Sequence, residues 1–419
     1  MNRLIWLFLA AIAITGCVGE DSENNDEAPL VIGGPDTDVP DEGTPDDNAP
    51  EDKDYLFIAQ LKAADYSSSE IAVGVVGTTT VVEGYATSDD SDYTIDVYGQ
   101  YLYHIGKYNI DTLTRYDSEA HFLQADYTYS LAEPESDTTN AYQIIQVADD
   151  KAYIIRYGKT SIQIVDPSAD EANFVTGEID MSAYTVEGAT YPRMTSGVVA
   201  DDKLFVGMQR LDSSWQPTQS YVAVIDIETN TEIDTNAEEG LKGIAVNADN
   251  LFSLTTDGNH VYVAGRGNYG DNSGALDRIS IDDYTVENII NGTTFPGLND
   301  VSEDGNASND TYYHVLGAAI VGDTAFVKLN LEQGYTSLSS KIYSFPVNDS
   351  DNFAAVTPDV LSDEKIGILK AGPDETLWVG IDSAEAPDVI ILNEEGEVQG
   401  EALEFSMPVV DLEFMETRN

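Results

Sequence analysis

The sequence predicts an all-β protein folded as a seven-bladed β-propeller. Seven short apolar segments recur along the 419 residues at intervals of 46 to 64 residues, and each carries an aromatic residue near its start. These aromatics are Phe57, Tyr103, Tyr153, Phe205, Tyr262, Phe326 and Trp378. Repeats of this length, built from four short strands, are typical of propeller blades. Six or eight blades remain open, because the region 96–137 is irregular.

The fourth repeat displays the four strands of a blade most clearly. Its predicted strands A to D are 194–199, 204–210, 221–227 and 231–234. Strands A and B are joined by Ala200-Asp201-Asp202, and Asp tolerates the positive φ that tight hairpin turns require. Repeats three, five, six and seven follow the same order, so we expect equivalent strands in each.

The two ends of the repeat region are predicted to complete one blade together. The first strand, 55–62, is of the B type, and the acidic segment before it supplies no strand A. The last segment, 408–415 (PVVDLEFM), is a strand of the A type without partners of its own. Pairing the two would close the ring and remove the open sheet edges.

Charge excludes one class of partner. The chain has 19 Lys and Arg residues against 76 Asp and Glu residues, a net charge of −57. Nucleic-acid binding depends on basic side chains that neutralise phosphates, so nucleic acid is excluded as a general partner. The acidity otherwise indicates solubility rather than a particular fold.

The N-terminus has the pattern of an export signal. Arg3 precedes an apolar stretch, 4–14, that is too short to span a bilayer. The stretch ends in Ile14-Thr15-Gly16-Cys17, which resembles a bacterial lipobox around the single cysteine of the chain. We therefore expect residues 1–16 to be a lipoprotein signal peptide and Cys17 to carry the lipid anchor. An ordinary signal peptide with an incidental cysteine is the alternative.

A charged tether is predicted between the anchor and the propeller. Fourteen of the residues 18–54 are Asp or Glu, so the segment 17–54 is expected to be disordered and extended. The propeller domain would then span 55–419. Val18, rather than Asp, follows the cysteine, which favours an outer-membrane lipoprotein. We expect it on the cell surface, with the periplasmic face as the alternative.

We expect a binding site on the propeller face where strand B ends. The B–C loops and D–A connections emerge there and include the long segments, and long loops on a rigid scaffold are where binding residues concentrate. Those segments are 211–220, 267–275, 291–313 and 330–339.

Scarce basic residues recur at that face, close to the end of strand B. In five of the seven blades they are Lys62, Lys107, Arg156, Arg210 and Arg266. Four of these bases, all but Lys62, join one base and four aromatics from nearby loops as candidate ligand-binding residues: Arg193, Arg210, Arg266, Arg156, Lys107, Trp215, Tyr191, Tyr269 and Tyr312. Arg pairs with carboxylate or phosphate and stacks on rings, so this rim would bind a small anionic or metal-chelate ligand. Local neutralisation of neighbouring acids is the alternative.

Other chemical motifs are weak. Asp300, Ser302 and Asp304 resemble half of a calcium loop, but Thr311 occupies the twelfth position, where such a loop needs a bidentate Glu. Calcium is therefore a weak candidate, a solvated acidic loop is favoured, and no cofactor is identified. No nucleophile elbow, zinc motif or phosphate-binding glycine loop occurs in the sequence. We accordingly expect a protein that is not an enzyme, although a site assembled from distant blades stays open.

The repeat ADDKLFVGMQRL…YVAVIDIETNTEID resembles the blades of the YncE-like propeller family over roughly residues 55–415. Together with the lipobox and the tether, the chain is similar to surface propeller lipoproteins that accompany TonB-dependent transporters, cobalamin-capturing ones among them. This resemblance implies a ligand on the loop face and a transporter as partner, and it carries over no individual residue.

Three functions follow from these features. The leading hypothesis is an outer-membrane-anchored propeller that binds a scarce nutrient or cofactor, of the metal-chelate or corrinoid class, for an uptake partner. The second is a scaffold that binds another envelope protein. The third is a hydrolase or lactonase.

Overall fold

The structure is a computed structural model that describes residues 54–118, 124–133, 138–235, 240–292, 295, 297–298, 301–303 and 309–417. Its strands form seven antiparallel sheets around one central channel. The fold is therefore a seven-bladed β-propeller, which confirms the predicted class and blade number. The predicted signal peptide, Cys17 and almost all of the tether lie outside the described residues. No helix in the described part is long and apolar enough to cross a membrane.

Each blade runs outward from an inner strand A to an outer strand D. The inner strands are β4 (Tyr93–Tyr98), β8 (Ala141–Ala148), β12 (Met194–Ala200), β17 (Leu251–Thr256), β21 (Thr311–Val321), β25 (Ile366–Gly372) and β28 (Val409–Glu416). The B strands are β1 (Tyr55–Lys62), β5 (Tyr101–Gly106), β9 (Lys151–Arg156), β13 (Lys203–Met208), β18 (His260–Gly265), β22 (Thr324–Gln333) and β26 (Thr376–Ile381).

The outer half of each blade is less regular. The C strands are β2 (Ser69–Val75), β6 (Thr112–Asp117), β10 (Ser161–Val165), β14 (Tyr221–Asp226), β19 (Ala275–Ser280), β23 (Thr336–Pro346) and β27 (Val389–Leu392). The D strands are β3 (Val81–Ser88), β7 (Ala125–Ser130), β11 (Val175–Asp180), β15 (Thr231–Glu232), β20 (Val286–Asn291) and β24 (Ala354–Val356). Blade seven has three strands, and β16 (Ile244–Ala245) pairs with β14. Two short 3-10 helices span Ser182–Tyr184 and Asp359–Leu361.

The ring closes where the sequence predicts. Strand β28 pairs antiparallel with β1, from Tyr55 opposite Glu416 to Leu61 opposite Val409. The amide of Lys62 adds a hydrogen bond of 3.0 Å to the carbonyl of Pro408. The last strand of the chain therefore becomes the inner strand of the first blade, and it leaves no open edge between the two ends.

The seven recurring aromatics are core residues. Phe57, Tyr153, Phe205, Tyr262 and Phe326 are 0% exposed, while Tyr103 and Trp378 are 1% exposed. They pack between blades, as where the rings of Phe57 and Trp378 lie 5.2 Å apart. Complete burial of one such side chain stabilises the fold by about 1.5–3 kcal/mol. The repeat that reveals the fold is therefore a packing requirement and carries no information about a ligand.

One predicted loop is a hairpin instead. Residues 330–339 continue strand β22 to Gln333 and begin strand β23 at Thr336, so only Gly334 and Tyr335 form the turn. Gly334 takes the positive φ of 59° that a two-residue turn favours. Residues 330–333 of β22 pair with β23 up to the turn. This strand pairing extends through the segment that the sequence predicts to be a loop.

The two ends of the propeller differ in charge. We call the end with the B–C loops and D–A connections the loop face, and the end with the A–B and C–D turns the turn face. The A–B turns of blades three to seven carry Asp149, Asp150, Asp201, Asp202, Asp257, Asp323, Asp374 and Glu375. No Lys or Arg lies within the described turns of this face; the nearest, Lys151 and Lys203, open the strands that follow. Bases reach this face from neighbouring strands, as where Arg115 and Arg278 donate to the carbonyls of Pro167 and Val347 in C–D turns.

Candidate functional site

A cavity of about 620 Å³ occupies the channel and is lined by all seven inner strands. Lys107, Tyr157 and Gln209, which follow the ends of B strands, line it at the loop face. We call this opening the mouth. Small-molecule sites usually measure roughly 300–1,000 Å³, so the cavity has the size of a ligand pocket.

The inner strands bend at the mouth. Six of the seven carry a bulge, where one residue of the inner strand has no partner on strand B. The bulged residues are Tyr142, Thr195, Phe252, Leu316, Gly367 and Val410, and all of them line the cavity. Bulges re-aim side chains and are frequent beside binding sites. Here the side chains of five of these residues, all but Gly367, lie around the mouth.

Basic and aromatic side chains form a continuous row along one side of the mouth. We call Lys107, Tyr142, Tyr157, Arg193 and Trp215 the mouth row. The Nζ of Lys107 lies 5.4 Å from the ring centre of Tyr142, whose ring stacks on Tyr157 at 5.0 Å. Arg193 donates from Nη1 to the Tyr157 hydroxyl at 3.3 Å, and its Cζ lies 3.8 Å from the ring centre of Trp215. Three of the predicted residues, Lys107, Arg193 and Trp215, therefore meet in one row.

Arg193 differs from the other described arginines in its partners. Those paired with a carboxylate are Arg115, Arg156, Arg266 and Arg278. Arg210 donates instead to the carbonyls of Tyr184 and Gln219. Within the described residues Arg193 has no acidic partner, and its buried Nε has no hydrogen bond. Its guanidinium therefore retains donors for an incoming anion.

Two members of the mouth row have unfavourable backbone conformations. Arg193 has a φ of 61° and Trp215 a φ of 62°. Bulky residues rarely occupy this left-handed region, and each such residue costs about 1–3 kcal/mol. Strain of this kind concentrates at binding sites, where the surrounding structure maintains it. Arg210, Tyr66 and Tyr284 share this conformation, so it accompanies the mouth row but does not distinguish it.

Arg156 lies away from the mouth. It is 1% exposed, contacts Glu133 and Glu178, and donates to the Ser161 hydroxyl at 2.5 Å. Its Nε also donates to the Ser161 carbonyl. Every nitrogen of the guanidinium thus has a partner within the protein. Arg156 fits the alternative reading of the sequence, local neutralisation of neighbouring acids.

Arg210 and Arg266 also have internal partners. The Arg210 guanidinium lies 4.8 Å from the ring centre of Tyr221, in addition to its two carbonyl contacts. Arg266 pairs with Glu332, and both side chains are more than nine-tenths buried. Its guanidinium carbon lies 3.9 Å from the ring centre of Tyr269. These two arginines reinforce the loops beside the mouth and do not belong to the mouth row.

The remaining predicted residues are scattered. Tyr269 is 47% exposed, and its ring centre lies 4.9 Å from that of Tyr335, at the tip of the blade-six hairpin, with the ring planes tilted by 52°. Tyr191 is partly buried in the connection to blade four, and Tyr312 is partly buried within β21. The structure brings neither into the mouth row.

The calcium candidate falls largely outside the described residues, which include neither Asp300 nor Asp304. Ser302 is described, and its amide donates to the Thr311 hydroxyl at 3.2 Å. Among described residues, no group of three His, Cys, Asp or Glu side chains is arranged to hold a metal ion.

Charged side chains also line the wall of the cavity. Asp96, Asp411, Glu413 and Lys370 form what we call the acid–lysine cluster. Lys370 contacts Glu413 at 2.5 Å, and Asp96 accepts a hydrogen bond of 2.7 Å from the Ile144 amide. Asp411 accepts from the Ile95 amide at 3.0 Å. The cluster holds three carboxylates and one ammonium group, and Lys107 and Lys328 also line the cavity.

Burial and mutual repulsion perturb this cluster. Burial, followed by the charge of Glu413, raises the pKa of Asp96 well above its ordinary range. Burial also raises the pKa of Glu413. Burial opposes the charge of Lys370, but the neighbouring Glu413 and Asp411 outweigh it and raise its pKa. Lys370 keeps 37% of its side-chain surface accessible and Glu413 keeps 20%, because the channel is wide enough for water although protein surrounds both groups.

Sequence reasoning missed most of the cavity wall. Gln209 and the acid–lysine cluster follow from no motif, because their members come from inner strands of different blades. The signal that was available is the scarcity of basic residues, which drew attention to Lys107 and Arg193. Scarcity alone could not separate Arg193 from Arg156, whose partner Glu133 belongs to a distant connection.

The fold is shared with solved propeller-like structures of low sequence identity. A candidate 6-phosphogluconolactonase from Bacteroides uniformis is 14% identical, with 87% of this chain and 100% of the other covered and a TM-score of 0.55. A second, from Bacteroides fragilis, is 12% identical, with coverage of 88% and 100% and a TM-score of 0.55. The periplasmic gluconolactonase of Pseudomonas aeruginosa is 12% identical, with coverage of 86% and 99% and a TM-score of 0.54. No protein-family profile and no curated protein sequence matches the chain.

These likenesses overturn the expectation that the protein is not an enzyme. That expectation rested on the absence of a recognisable catalytic motif. Proteins of this fold that are named as lactonases occur among the similar structures, so the absence of a motif is no argument against catalysis. At 12–14% identity the likeness shows the fold alone.

Proposed function

We propose that the protein binds a small anionic ligand at the loop-face mouth of its channel. The observation that carries this proposal is Arg193, which keeps hydrogen-bond donors without an acidic partner in a chain of net charge −57. In so acidic a protein an arginine usually finds a carboxylate, as four other described arginines do. An anion that enters the mouth would supply the missing partner.

Other members of the mouth row support the same proposal. Burial raises the pKa of the Tyr142 and Tyr157 hydroxyls, so both stay protonated and uncharged near neutral pH. Lys62 lies near Lys107: burial, followed by the charge of Lys107, lowers the pKa of Lys62. Water is partly excluded here, so an ionic contact is stronger than it would be at the open surface.

We place this binding activity in the cell envelope. The predicted signal peptide, lipidated Cys17 and acidic tether support an outer-membrane lipoprotein whose propeller is on the cell surface. In this proposal the ligand is a scarce nutrient or cofactor, of the metal-chelate or corrinoid class, and the partner is a TonB-dependent transporter that takes it up. Replacing Cys17 by Ser should block acylation. If the Cys17→Ser protein still fractionates with outer membranes at high salt, the lipid anchor is disproved.

Calorimetry with matched variants tests the binding site. The panel comprises corrinoids, haem, ferric siderophores and simple organic acids, titrated into wild type, Arg193→Gln and Lys203→Gln. Lys203 contacts Asp201 beside the turn face, so its replacement removes the same charge far from the mouth. Loss of a partly desolvated ion pair costs about 2–5 kcal/mol, so Arg193→Gln should weaken binding at least about thirtyfold. Equal binding by all three proteins would disprove a site at Arg193.

A second candidate function is hydrolysis of a cyclic ester. The acid–lysine cluster lines the same cavity as the mouth row, and gluconolactonases occur among the structures that share the fold. A carboxylate of the cluster, Asp96 or Glu413, would accept a proton from water as the water oxygen bonds to the lactone carbonyl carbon. The ammonium of Lys370 would stabilise the resulting oxyanion. The ring C–O bond then breaks, and the protonated carboxyl returns its proton to the leaving oxygen.

Lactone hydrolysis is measured separately from binding. We expect wild-type protein to open glucono-1,5-lactone faster than buffer, followed by the acid released at constant pH. Asp96→Asn and Glu413→Gln should lower the rate roughly 100-fold or more, as loss of a general acid–base residue does. Glu404→Gln, which alters an exposed carboxylate outside the cavity, is the control. If wild-type protein opens glucono-1,5-lactone no faster than buffer alone, hydrolysis of that lactone is disproved. The binding proposal is unaffected by that result.

A further inference from the structure

The wall of the cavity is divided into three chemical sectors. Neutral hydroxyl and amide side chains come from blades three to five, at Gln143, Thr195, Ser196, Ser253 and Thr255. Blades one and two supply the carboxylates of the acid–lysine cluster. Blades six and seven supply apolar groups, among them Leu316, Gly317 and Ile368, together with Lys370 and with Lys328, whose Nζ donates to the Gly367 carbonyl at 2.7 Å. A ligand that fills the cavity therefore meets a polar wall on one side and an aliphatic wall on the other.

The neutral sector has unused hydrogen-bonding capacity. The Thr195 hydroxyl is buried and has no partner in the described structure. Gln143 accepts from the Gly197 amide at 2.8 Å through Oε1, while its amide nitrogen has no described partner. Ser196 accepts from the Leu254 amide at 3.2 Å, so its own hydroxyl proton is available. A buried polar group without a partner, as at Thr195, costs about 1–3 kcal/mol, so the site favours a ligand that satisfies it.

Resting on the proposed anion site at the mouth, and in place of the metal-chelate or corrinoid class that the sequence resemblance implies, we propose that the ligand is a sugar acid in its ring form. A sugar ring has hydroxyl groups at its edge and C–H groups on its faces. The hydroxyls match the neutral sector and the carboxylates, which accept hydrogen bonds from paired hydroxyls. The C–H face matches Leu316 and Ile368, and the acidic group reaches Arg193. A hydrocarbon acid would leave Thr195 and Gln143 unsatisfied, and an uncharged sugar would leave Arg193 unpaired.

Four probes separate the parts of this inference by calorimetry on the full protein. They are glucuronate, glucose 6-phosphate, glucose and cyclohexanecarboxylate. Glucuronate or glucose 6-phosphate should bind at least about tenfold more tightly than both glucose and cyclohexanecarboxylate. If cyclohexanecarboxylate binds as tightly as the sugar acids, the sugar inference is overturned while the anion site stands. If glucose binds as tightly as glucuronate, the anion site itself is disproved. If neither sugar acid binds, the inference is overturned.

A single substitution tests the neutral sector. Thr195→Val removes the unpartnered hydroxyl and keeps the shape of the side chain. It should weaken glucuronate roughly five- to tenfold, the effect of one hydrogen bond, and leave any weak binding of cyclohexanecarboxylate unchanged. Thr285→Val, at a turn-face hydroxyl bonded to Asp283, is the matched control and should change neither. Comparable melting curves for both variants exclude misfolding as the cause. Unchanged glucuronate binding by Thr195→Val would overturn the proposed wall.

Discussion

The loop face and the turn face are built from the same seven blades, yet only the loop face has bases within its described loops, where several pair with acids such as Asp92 and Glu332. The described turns of the turn face carry acids and no base, whereas Lys107 and Arg193 border the channel at the loop face. Net charge therefore gives a misleading picture of the molecule. An anion repelled by the protein as a whole would still meet the donors of Arg193 at one end of the channel, where Lys107 already contacts Asp92 at 3.0 Å.

The two ends also differ in where they place positive φ angles. At the turn face these angles occur at Asp201, Asp202 and Asp374, residue types that tolerate them in tight hairpins. At the loop face they occur at Asn109, Asn140 and Asn250, which tolerate them, and also at Arg193, Arg210 and Trp215, which do not. Tyr284 at the turn face has a φ of 60° as well, so this conformation marks a site only together with the contacts of Arg193 and Trp215.

The largest expected effect comes from breaking the closure, which both ends share. Deletion of residues 408–419 removes the inner strand of blade one and exposes the edge of β1. We expect the truncated protein to aggregate or to lose its cooperative melting transition, measured by circular dichroism and light scattering. A truncated protein that retains the melting temperature of the wild type would disprove the pairing of β28 with β1.

The second effect contrasts one base at each end. Arg193→Glu places a negative charge at the mouth, while Lys203→Glu makes the same change beside the turn face. We expect Arg193→Glu to weaken anion binding more than about 100-fold, because it adds repulsion to the loss of the contact. Lys203→Glu should alter the dissociation constant less than about twofold. Equal losses in the two variants would mean that net charge, and not the mouth, governs binding.

A third, smaller effect concerns the channel between the two ends. The folded pKa of Asp96 lies above its ordinary value of 3.8, so folding favours the protonated form. The contribution of Asp96 to stability is therefore most favourable below pH 3.8 and falls as the pH rises from there towards the folded pKa. Asp96→Asn removes this penalty and should raise the melting temperature by about 2 °C at pH 8 and by nothing near pH 3. A constant difference between the two proteins across this range would contradict the raised pKa.

The smallest effect tests strain at the two ends. Glycine adopts positive φ without penalty, so Trp215→Gly relieves strain at the mouth but also removes the contact with Arg193. We expect a stability change below about 1 kcal/mol together with a clear loss of ligand affinity. Asp201→Gly, in a turn that already suits its residue, should change stability little and affinity not at all. If Trp215→Gly keeps full affinity, the Trp215 contact is not part of the site.

The fold was predictable because its signal is local and repeated. Each blade needs a buried aromatic on strand B, as at Phe205 or Tyr262, and tight turns need Asp or Gly nearby. The closure was predictable from the unpaired strand types at the two ends. The hairpin at 330–339 was not predictable, because strands β22 and β23 are longer than those of the other blades. Their extra length depends on pairing between the two strands rather than on the turn itself.

The site was predictable only in part. Lys107, Arg193 and Trp215 were identified because bases are scarce and aromatics cluster in the long loops. The cavity wall was not identified, because Asp96, Gln143 and Asp411 meet only when the ring closes. Whether an arginine is available to a ligand depends on the residues that it contacts in the fold. A single sequence does not show contacts between residues that are distant along the chain. Arg156 and Arg193 therefore looked alike until their contacts were known.

The central claim is that the mouth attracts anions although the protein is strongly acidic. Trp215 is 59% exposed beside Arg193, while Trp378 is buried and Trp6 lies in the predicted signal peptide. Fluorescence quenching by iodide and by caesium, compared between wild type and Trp215→Phe at equal ionic strength, isolates the signal of Trp215. We predict that iodide quenches Trp215 more strongly than caesium and that Arg193→Gln reverses this order. Stronger quenching by caesium in the wild type would contradict the account.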